Sequence, residues 1–177
     1  SDAEHIVGEF VKAFRKMRTI FDADKARFAS AYPEDATLLD HIQVGFPAHS
    51  LVSGTAIITA IINDLGGEYV YAQQANAYIQ PGDILIGIST SGNSVPVQYA
   101  MKIASFKGGS TIAITGKSGG KMADIADLTL RSVEQETYLV QQDHIALYHI
   151  PAELKEAATR RQSSMRHVTC SAEATRR

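Results

Sequence analysis

Apolar residues recur at helical spacing near the start of the chain: Ile6, Val7, Phe10, Val11, Phe14 and Met17. This pattern predicts a helix from Asp2 to Arg18, capped by Ser1 or Asp2. Thr19 to Pro47 is mixed and polar, with one short amphipathic piece at Leu38 to Val44, and reads as loop with little helix. His49 to Val52 predicts a short strand, and Thr55 to Asp64 a buried helix rich in Ile and Ala. Tyr69 to Ile79 reads as a further helix, although its aromatics also suit a strand. Pro81-Gly82-Asp83 is a turn. Ile84 to Ser89 is an unbroken apolar strand, the pattern of a sheet covered on both faces. Ser94 to Lys107 predicts a helix stopped by Gly108-Gly109. A strand over Thr111 to Thr115, a short helix over Lys121 to Ala126 and a strand over Leu128 to Val133 follow. The last element is a long helix from Thr137 to about Arg161, with Pro151 placed to kink it.

Strands alternating with helices predict an α/β fold: a parallel sheet with helices on both faces. No internal repeat or linker divides the chain, so residues 1–161 read as one domain. Residues 162–177 are polar and aperiodic and read as a disordered tail. The chain opens on a helix with no strand before it. A doubly wound domain normally begins with a strand, so an N-terminally incomplete version of that domain is expected.

Charge is nearly balanced, 17 Lys and Arg against 19 Asp and Glu, which gives no reason to expect a polyanionic partner such as nucleic acid. The arginines that do cluster (Arg160, Arg161, Arg166, Arg176, Arg177) read as a solvated tail rather than a nucleic-acid arm. No apolar run reaches membrane-spanning length and no signal peptide opens the chain, so a cytoplasmic location without membrane contact is expected. Cys170 is the only cysteine, which excludes an internal disulfide and fits a reducing compartment.

The stretch richest in chemistry is Gly87-Ile-Ser-Thr-Ser-Gly-Asn-Ser94. It joins a predicted strand to a predicted helix start. Such a turn aims hydroxyls and backbone N–H groups at one point, with the positive end of the helix dipole behind them, and so suits a phosphate. Gly92 and Asn93 tolerate positive φ, which lets the backbone bend around an anion. The plainer alternative is a polar loop in which Ser91 or Asn93 caps the helix.

A second constellation lies at the two ends of the domain. His5 and Glu9 are four apart on the first helix and share a face. Gln141 and His149 are eight apart on the last helix, a little over two turns. Two imidazoles, a carboxylate and an amide can bind a divalent metal such as zinc, or serve as acid and base. A solvated i,i+4 pair is the alternative for His5 and Glu9. His144 is a further candidate, but it lies five residues before His149 and so on another face; His41, His49 and His167 read as structural or exposed. Gly116-Lys117-Ser118 is not a phosphate loop of the Walker type, because Thr111 stands where the first glycine belongs. Gly119-Gly120-Lys121-Met122 reads as a turn into a short helix.

These residues resemble the sugar isomerase (SIS) domain family, and within it the phosphoheptose isomerase branch. The resemblance rests on Ser1-Asp-Ala-Glu-His5-Ile-Val-Gly-Glu9, the serine stretch, Thr115-Gly-Lys-Ser-Gly-Gly-Lys-Met122, and Gln141 with His149. It runs from Ser1 to about Leu154. It implies a flavodoxin-like three-layer αβα sandwich around a five-stranded parallel sheet, and a homotetramer with sites at subunit interfaces. It implies that Ser89, Thr90, Ser91 and Ser94 bind the phosphate of a sugar phosphate. It further implies that His5, Glu9, Gln141 and His149 hold zinc, with Glu9 as base and His149 as acid. The activity implied is aldose–ketose isomerisation of sedoheptulose 7-phosphate through an enediol. The alternative within the family is a non-catalytic sugar-phosphate regulator or tetrameric scaffold, of the DnaA initiator-associating type. Three departures from the family pattern stand out. The Asn-Gly-Gly-Ser loop expected upstream of the first helix is absent, Ser53-Gly54 replaces Thr-Asp or Ser-Asp, and Gln142 replaces a common glutamate.

Overall fold

Three parallel strands form the sheet in the order β1 (Ile84–Ser89), β2 (Ser110–Thr115) and β3 (Leu128–Arg131). The computed structural model describes the backbone of residues 1–173 and the side chains of residues 1–158. Ser89 lies opposite Thr115, and Thr115 opposite Arg131, so the carboxyl ends of all three strands meet at one edge. In parallel sheets that edge is where ligands bind.

The helices are α1 (Asp2–Val11), α2 (Asp22–Ala31), α3 (Thr55–Asp64), α4 (Val70–Tyr78), α5 (Val95–Phe106) and α6 (Thr137–Glu173). They and the sheet belong to two compact units. The first takes residues 1–6 with 49–149; the second takes 7–48 with the chain from Ile150 onward.

In the first unit α5 lies on β1 at very short range, and the sequence explains why. A β-carbon on Gly87 would stand 2.8 Å from Val97 Cγ1, 3.0 Å from Met101 Sδ and 3.1 Å from Met122 Cε. Only glycine leaves room for that contact. Ala75, Ala100, Ala104 and Ala113 continue the small-residue seam, with Leu85, Met101 and Met122 filling it. The start of β3 is tied to β2 by Asp127, whose carboxylate accepts from Thr111 N–H (2.7 Å) and Thr111 Oγ1 (3.0 Å). Those bonds hold the Asp127 carboxyl below the usual carboxylate range.

In the second unit the end of α1 is set by borrowed partners. The Phe10 carbonyl accepts from Phe46 N–H (2.9 Å) and from the Arg18 guanidinium (2.8 Å). Arg18 also reaches the Lys12 carbonyl, and the Gln43 side chain takes Ala13 N–H at 3.3 Å. With these groups engaged elsewhere the helix stops at Val11 rather than running to Arg18. The Arg18 guanidinium also stacks 4.1 Å over the Phe46 ring. Arg15 pairs with Glu153 at 2.6 Å, and its N–H donates to buried Glu156 at 3.3 Å.

Other expectations are corrected too. The loop expected over Thr19 to Pro47 contains α2, a helix with no buried residue and with Asp22 and Asp24 in its first turn. His49 to Val52 forms a turn, not a strand. Its backbone is engaged by side chains: Val52 N–H donates to Ser50 Oγ at 3.4 Å, and the Gln74 amide, from α4, donates to the Leu51 carbonyl at 3.0 Å. α3 has the expected bounds but buries none of its residues within this chain. Lys121 to Ala126 supplies only a 3₁₀ turn over Gly120–Met122. β3 ends at Arg131 because Ser132 Oγ is drawn to the Asp143 carboxylate (2.5 Å) and accepts Glu134 N–H (2.9 Å). α6 runs to Glu173 with Pro151 inside it. For the expected tail, side chains from residue 159 and all of residues 174–177 lie outside the described residues.

Candidate active site

The chain leaves β1 at Ser89, turns through Thr90 to Asn93 and enters α5 at Ser94. Gly92 has φ +67°, and a β-carbon there would lie 2.0 Å from the Gly119 carbonyl oxygen. The turn is therefore pressed against a second loop, Gly116 to Met122. Gly116 N–H donates to the Thr90 carbonyl (2.9 Å) and Met122 N–H to the Gly92 carbonyl (2.9 Å). Lys121 N–H donates to the Asn93 side-chain oxygen at 3.1 Å. Asn93 closes the joint from the other side: its N–H donates to Ser91 Oγ (3.2 Å) and its amide to the Ser91 carbonyl (3.0 Å).

Sequence reasoning took Gly119-Gly120-Lys121-Met122 for a turn into a short helix, and it is also the buttress of the serine loop. Its place just after β2, whose carboxyl end aligns with that of β1, was the available signal. Asn93 likewise proves to be a joint between loops rather than a cap.

Ser94 stands at the N-cap position with extended backbone, and its hydroxyl makes no capping bond. The first-turn amides of α5 therefore stay directed at the turn, minus the one that Pro96 lacks. Ser89, Thr90 and Ser94 are half-buried and Ser91 is exposed. Hydroxyls and N–H groups thus gather at a helix start, braced on the far side by the second loop, an arrangement of the kind that can take an anion.

The second cluster joins α1 to α6. His5 and His149 have ring centroids 5.4 Å apart and planes at 81°. Tyr148, 2% exposed, lies edge-on to both, and its hydroxyl meets His5 Nδ1 at 2.7 Å. With Zn–N bonds of about 2.0–2.1 Å, two imidazoles on one tetrahedral ion place their centroids roughly 5 Å apart. The pair has the spacing of two positions of a zinc site, which is also the spacing of edge-to-face ring packing. Among the described residues no three His, Cys, Asp or Glu side chains converge as a ready-made cation site. Gln141 is an exposed residue of α6, eight before His149. Glu9 belongs to the second unit, where its carboxylate meets Lys12 Nζ at 3.2 Å.

His144, set aside on spacing, is the most buried imidazole at 1% exposure. Burial pushes its pKa down, partly offset by the Thr115 backbone and the Asp2 and Asp143 carboxylates. Asp2 Oδ2 is 4.0 Å from its Nδ1.

A parallel sheet with a hydroxyl-lined turn at its carboxyl edge and an imidazole pair on the flanking helices defines an α/β protein with a candidate site at the carboxyl edge of its sheet. The family is narrower. The SIS domain model matches residues 56–150, and the chain belongs to the SIS domain family. A phosphoheptose isomerase of Trichlorobacter lovleyi is 38% identical over 156 residues, 88% of this chain and 67% of the relative. One of a Roseiflexus species is also 38% identical, over 88% of this chain and 66% of its own length. The chain thus spans about two thirds of the length of these curated relatives. Among solved structures, a phosphoheptose isomerase from Francisella tularensis superposes with TM-score 0.64 at 25% identity, covering 86% of this chain and 71% of that one. One from Neisseria gonorrhoeae gives TM-score 0.60 at 30% identity, covering 88% and 84%.

Proposed function

We propose that this chain is the SIS domain of a phosphosugar aldose–ketose isomerase that converts sedoheptulose 7-phosphate to a heptose 7-phosphate. The observation that carries the reading is the serine loop: a phosphate-shaped cup braced by a second loop, in a chain whose relatives are named phosphoheptose isomerases. Ser89, Thr90, Ser91 and Ser94 hold the phosphate and leave the sugar's carbonyl end to reach the second cluster.

Glu9 removes the proton from the carbon beside the carbonyl. The C–H electron pair forms the new C=C bond, the carbonyl π electrons move to oxygen, and His149 protonates that oxygen, giving the enediol. Return of a proton to the neighbouring carbon, with loss of the other hydroxyl proton, completes the exchange of carbonyl position. His5, Glu9, Gln141 and His149 would hold one zinc per site. When bound, zinc polarises the sugar oxygens. A metal-bound carboxylate is a poorer base, so zinc content bears directly on the role of Glu9.

The assembly is a homo-oligomer, a tetramer in this reading, and the unburied apolar helix α3 supports it. Among the described residues no helix is long and apolar enough to cross a membrane. A cytoplasmic location fits a charged phosphosugar substrate.

The deciding experiment follows solvent hydrogen into the carbon next to the carbonyl, in wild type and in Glu9→Gln. Turnover and exchange should fall about 10²–10⁴-fold in the variant, with phosphosugar binding little changed and zinc content measured in each protein. Wild-type protein that binds the phosphosugar yet exchanges no hydrogen is a regulator or scaffold instead.

A further inference from the structure

The serine cup is short of positive charge. Ser89, Thr90, Ser91 and Ser94 offer neutral hydroxyls, and the start of α5 adds roughly half a charge. A phosphate monoester brings about −1.5 to −2. Arg131 stands where that deficit can be met. It ends β3 and pairs with Thr115, so its backbone is fixed at the carboxyl edge of the sheet. Its guanidinium lies over Gly119, where a β-carbon would meet Cζ and Nε at 3.0 Å each. Gly119 is also the residue whose carbonyl oxygen stands 2.0 Å from the β-carbon position of Gly92, inside the serine turn. Joining the two approaches across one residue's backbone puts Cζ within about 9 Å of that position. Among the described residues Arg131 makes no ion pair and no hydrogen bond. Glu134, three residues on, meets the bracing loop through its carbonyl, which accepts Lys117 N–H at 3.1 Å. Lys117 and Lys121 are exposed and engage the loops through their backbone N–H groups. Arg131 is thus a permanent charge, held over a buried glycine beside a cup of neutral donors and matched by no acid of its own chain.

We propose that Arg131 is a further determinant of substrate binding, whose fixed charge draws a doubly charged phosphate ester into the serine turn and holds it there. The hydroxyls and N–H groups of the turn make the contacts. Arg131 acts on the same phosphate through its field, from the far side of the Gly119 backbone. This inference rests on the serine turn being the phosphate site under the proposed function.

The test measures inorganic phosphate binding to the full chain by calorimetry at about pH 8, where the ion is a dianion. Wild type, Arg131→Gln and Arg131→Lys are compared across a range of salt. Over such a distance one unit of charge changes the affinity for a dianion about 3–20-fold. Arg131→Gln should weaken binding by that factor at low salt. The loss should shrink away near about 1 M salt, where the Debye length falls to about 3 Å. Arg131→Lys keeps the charge and should bind nearly as wild type does. Ser89→Ala with Ser91→Ala removes contacts instead and should lose affinity at every salt concentration. Wild-type affinity in Arg131→Gln at low salt overturns the proposal. So does a loss that persists undiminished at high salt, or one that Arg131→Lys shares in full, because either means packing on Gly119 rather than charge. A weakened serine variant leaves the phosphate site standing in all of these cases. A serine variant that binds phosphate as wild type does, or a wild type that binds none, overturns the site assignment and this proposal with it. Should Arg131→Gln fail to fold, a wild-type affinity that does not vary with salt overturns the proposal.

Discussion

Gly92→Ala tests the brace between the two loops most directly. Gly92 sits at φ +67°, where an L side chain costs about 1–2 kcal/mol. Its β-carbon would also stand 2.0 Å from Gly119 O, 2.5 Å from Gly119 C and 2.9 Å from Gly120 N. All three are backbone atoms, so no flexible side chain can yield. Forcing the loops apart adds about 1–3 kcal/mol, the usual range for overpacking. The total is about 2–5 kcal/mol. At about 2–4 °C per kcal/mol for a chain of this size, Tm should drop by about 4–20 °C. Gly82→Ala is the matched control. Gly82 has φ +89° and open space where its β-carbon would go, so only the backbone cost of about 1–2 kcal/mol applies there. Thermal unfolding of both variants, with and without inorganic phosphate, separates strain from clash. Wild type and Gly82→Ala should gain stability from phosphate by mass action, and Gly92→Ala should gain little. If Gly92→Ala melts no lower than Gly82→Ala and keeps its phosphate response, the loops do not brace each other as described.

Ser89→Ala with Ser91→Ala should weaken phosphosugar binding by about 1.5–3 kcal/mol per charge-assisted bond lost, and unchanged calorimetric affinity would remove the loop from the phosphate site. For His144, burial holds the folded pKa below the unfolded value, so the unfolded chain takes up this proton first as pH falls. Its contribution to stability should decline from about pH 6.5 down to the folded pKa. His144→Leu should flatten that part of a Tm-against-pH curve, and an identical slope would refute the assignment. Added zinc should raise Tm, less so at lower pH as the histidines protonate, and no shift at any pH would argue for metal-free acid–base chemistry. Ile57→Lys with Ile62→Lys should lower the assembly's mass in light scattering without unfolding the chain, and an unchanged mass would place the subunit contact elsewhere.

The parts of the fold that were legible are those whose signal is local. Ile84 to Ser89 has its expected bounds because an unbroken apolar run before a Ser-Gly turn leaves few other structures open. α5 follows for the same reason, with Pro96 in its first turn and Gly108-Gly109 beyond its end. α2 was missed because it buries nothing, so it has no apolar stripe to read. Its acidic first turn and its alanines were present but were outweighed by the polarity of the segment. The end of α1 was misplaced because Arg18, Gln43 and Phe46 set it, and no pattern within residues 2–18 encodes where those groups go. The serine loop was legible as a motif. Its brace was not, since a 2.0 Å approach between Gly92 and Gly119 is a fact of tertiary structure.

α3 fails in a different way, and the failure is informative. The sequence Thr-Ala-Ile-Ile-Thr-Ala-Ile-Ile-Asn-Asp has the composition of a core helix, and burial was the natural inference. In the chain alone, Ile57 is 41% exposed and Ile62 47%, with Leu65 at 51% just beyond the helix end. Fully burying one such side chain contributes about 1.5–3 kcal/mol, so leaving several in water forgoes much of what a helix this short can gain. A hydrophobic pattern reports that a surface is to be covered; it does not report which molecule covers it. Within a homo-oligomer every residue of a two-fold contact acts twice, so a modest row of isoleucines suffices to hold subunits together. The reading of α3 as buried and the proposal of an assembly are thus the same inference from the same residues, differing only in where the covering face resides.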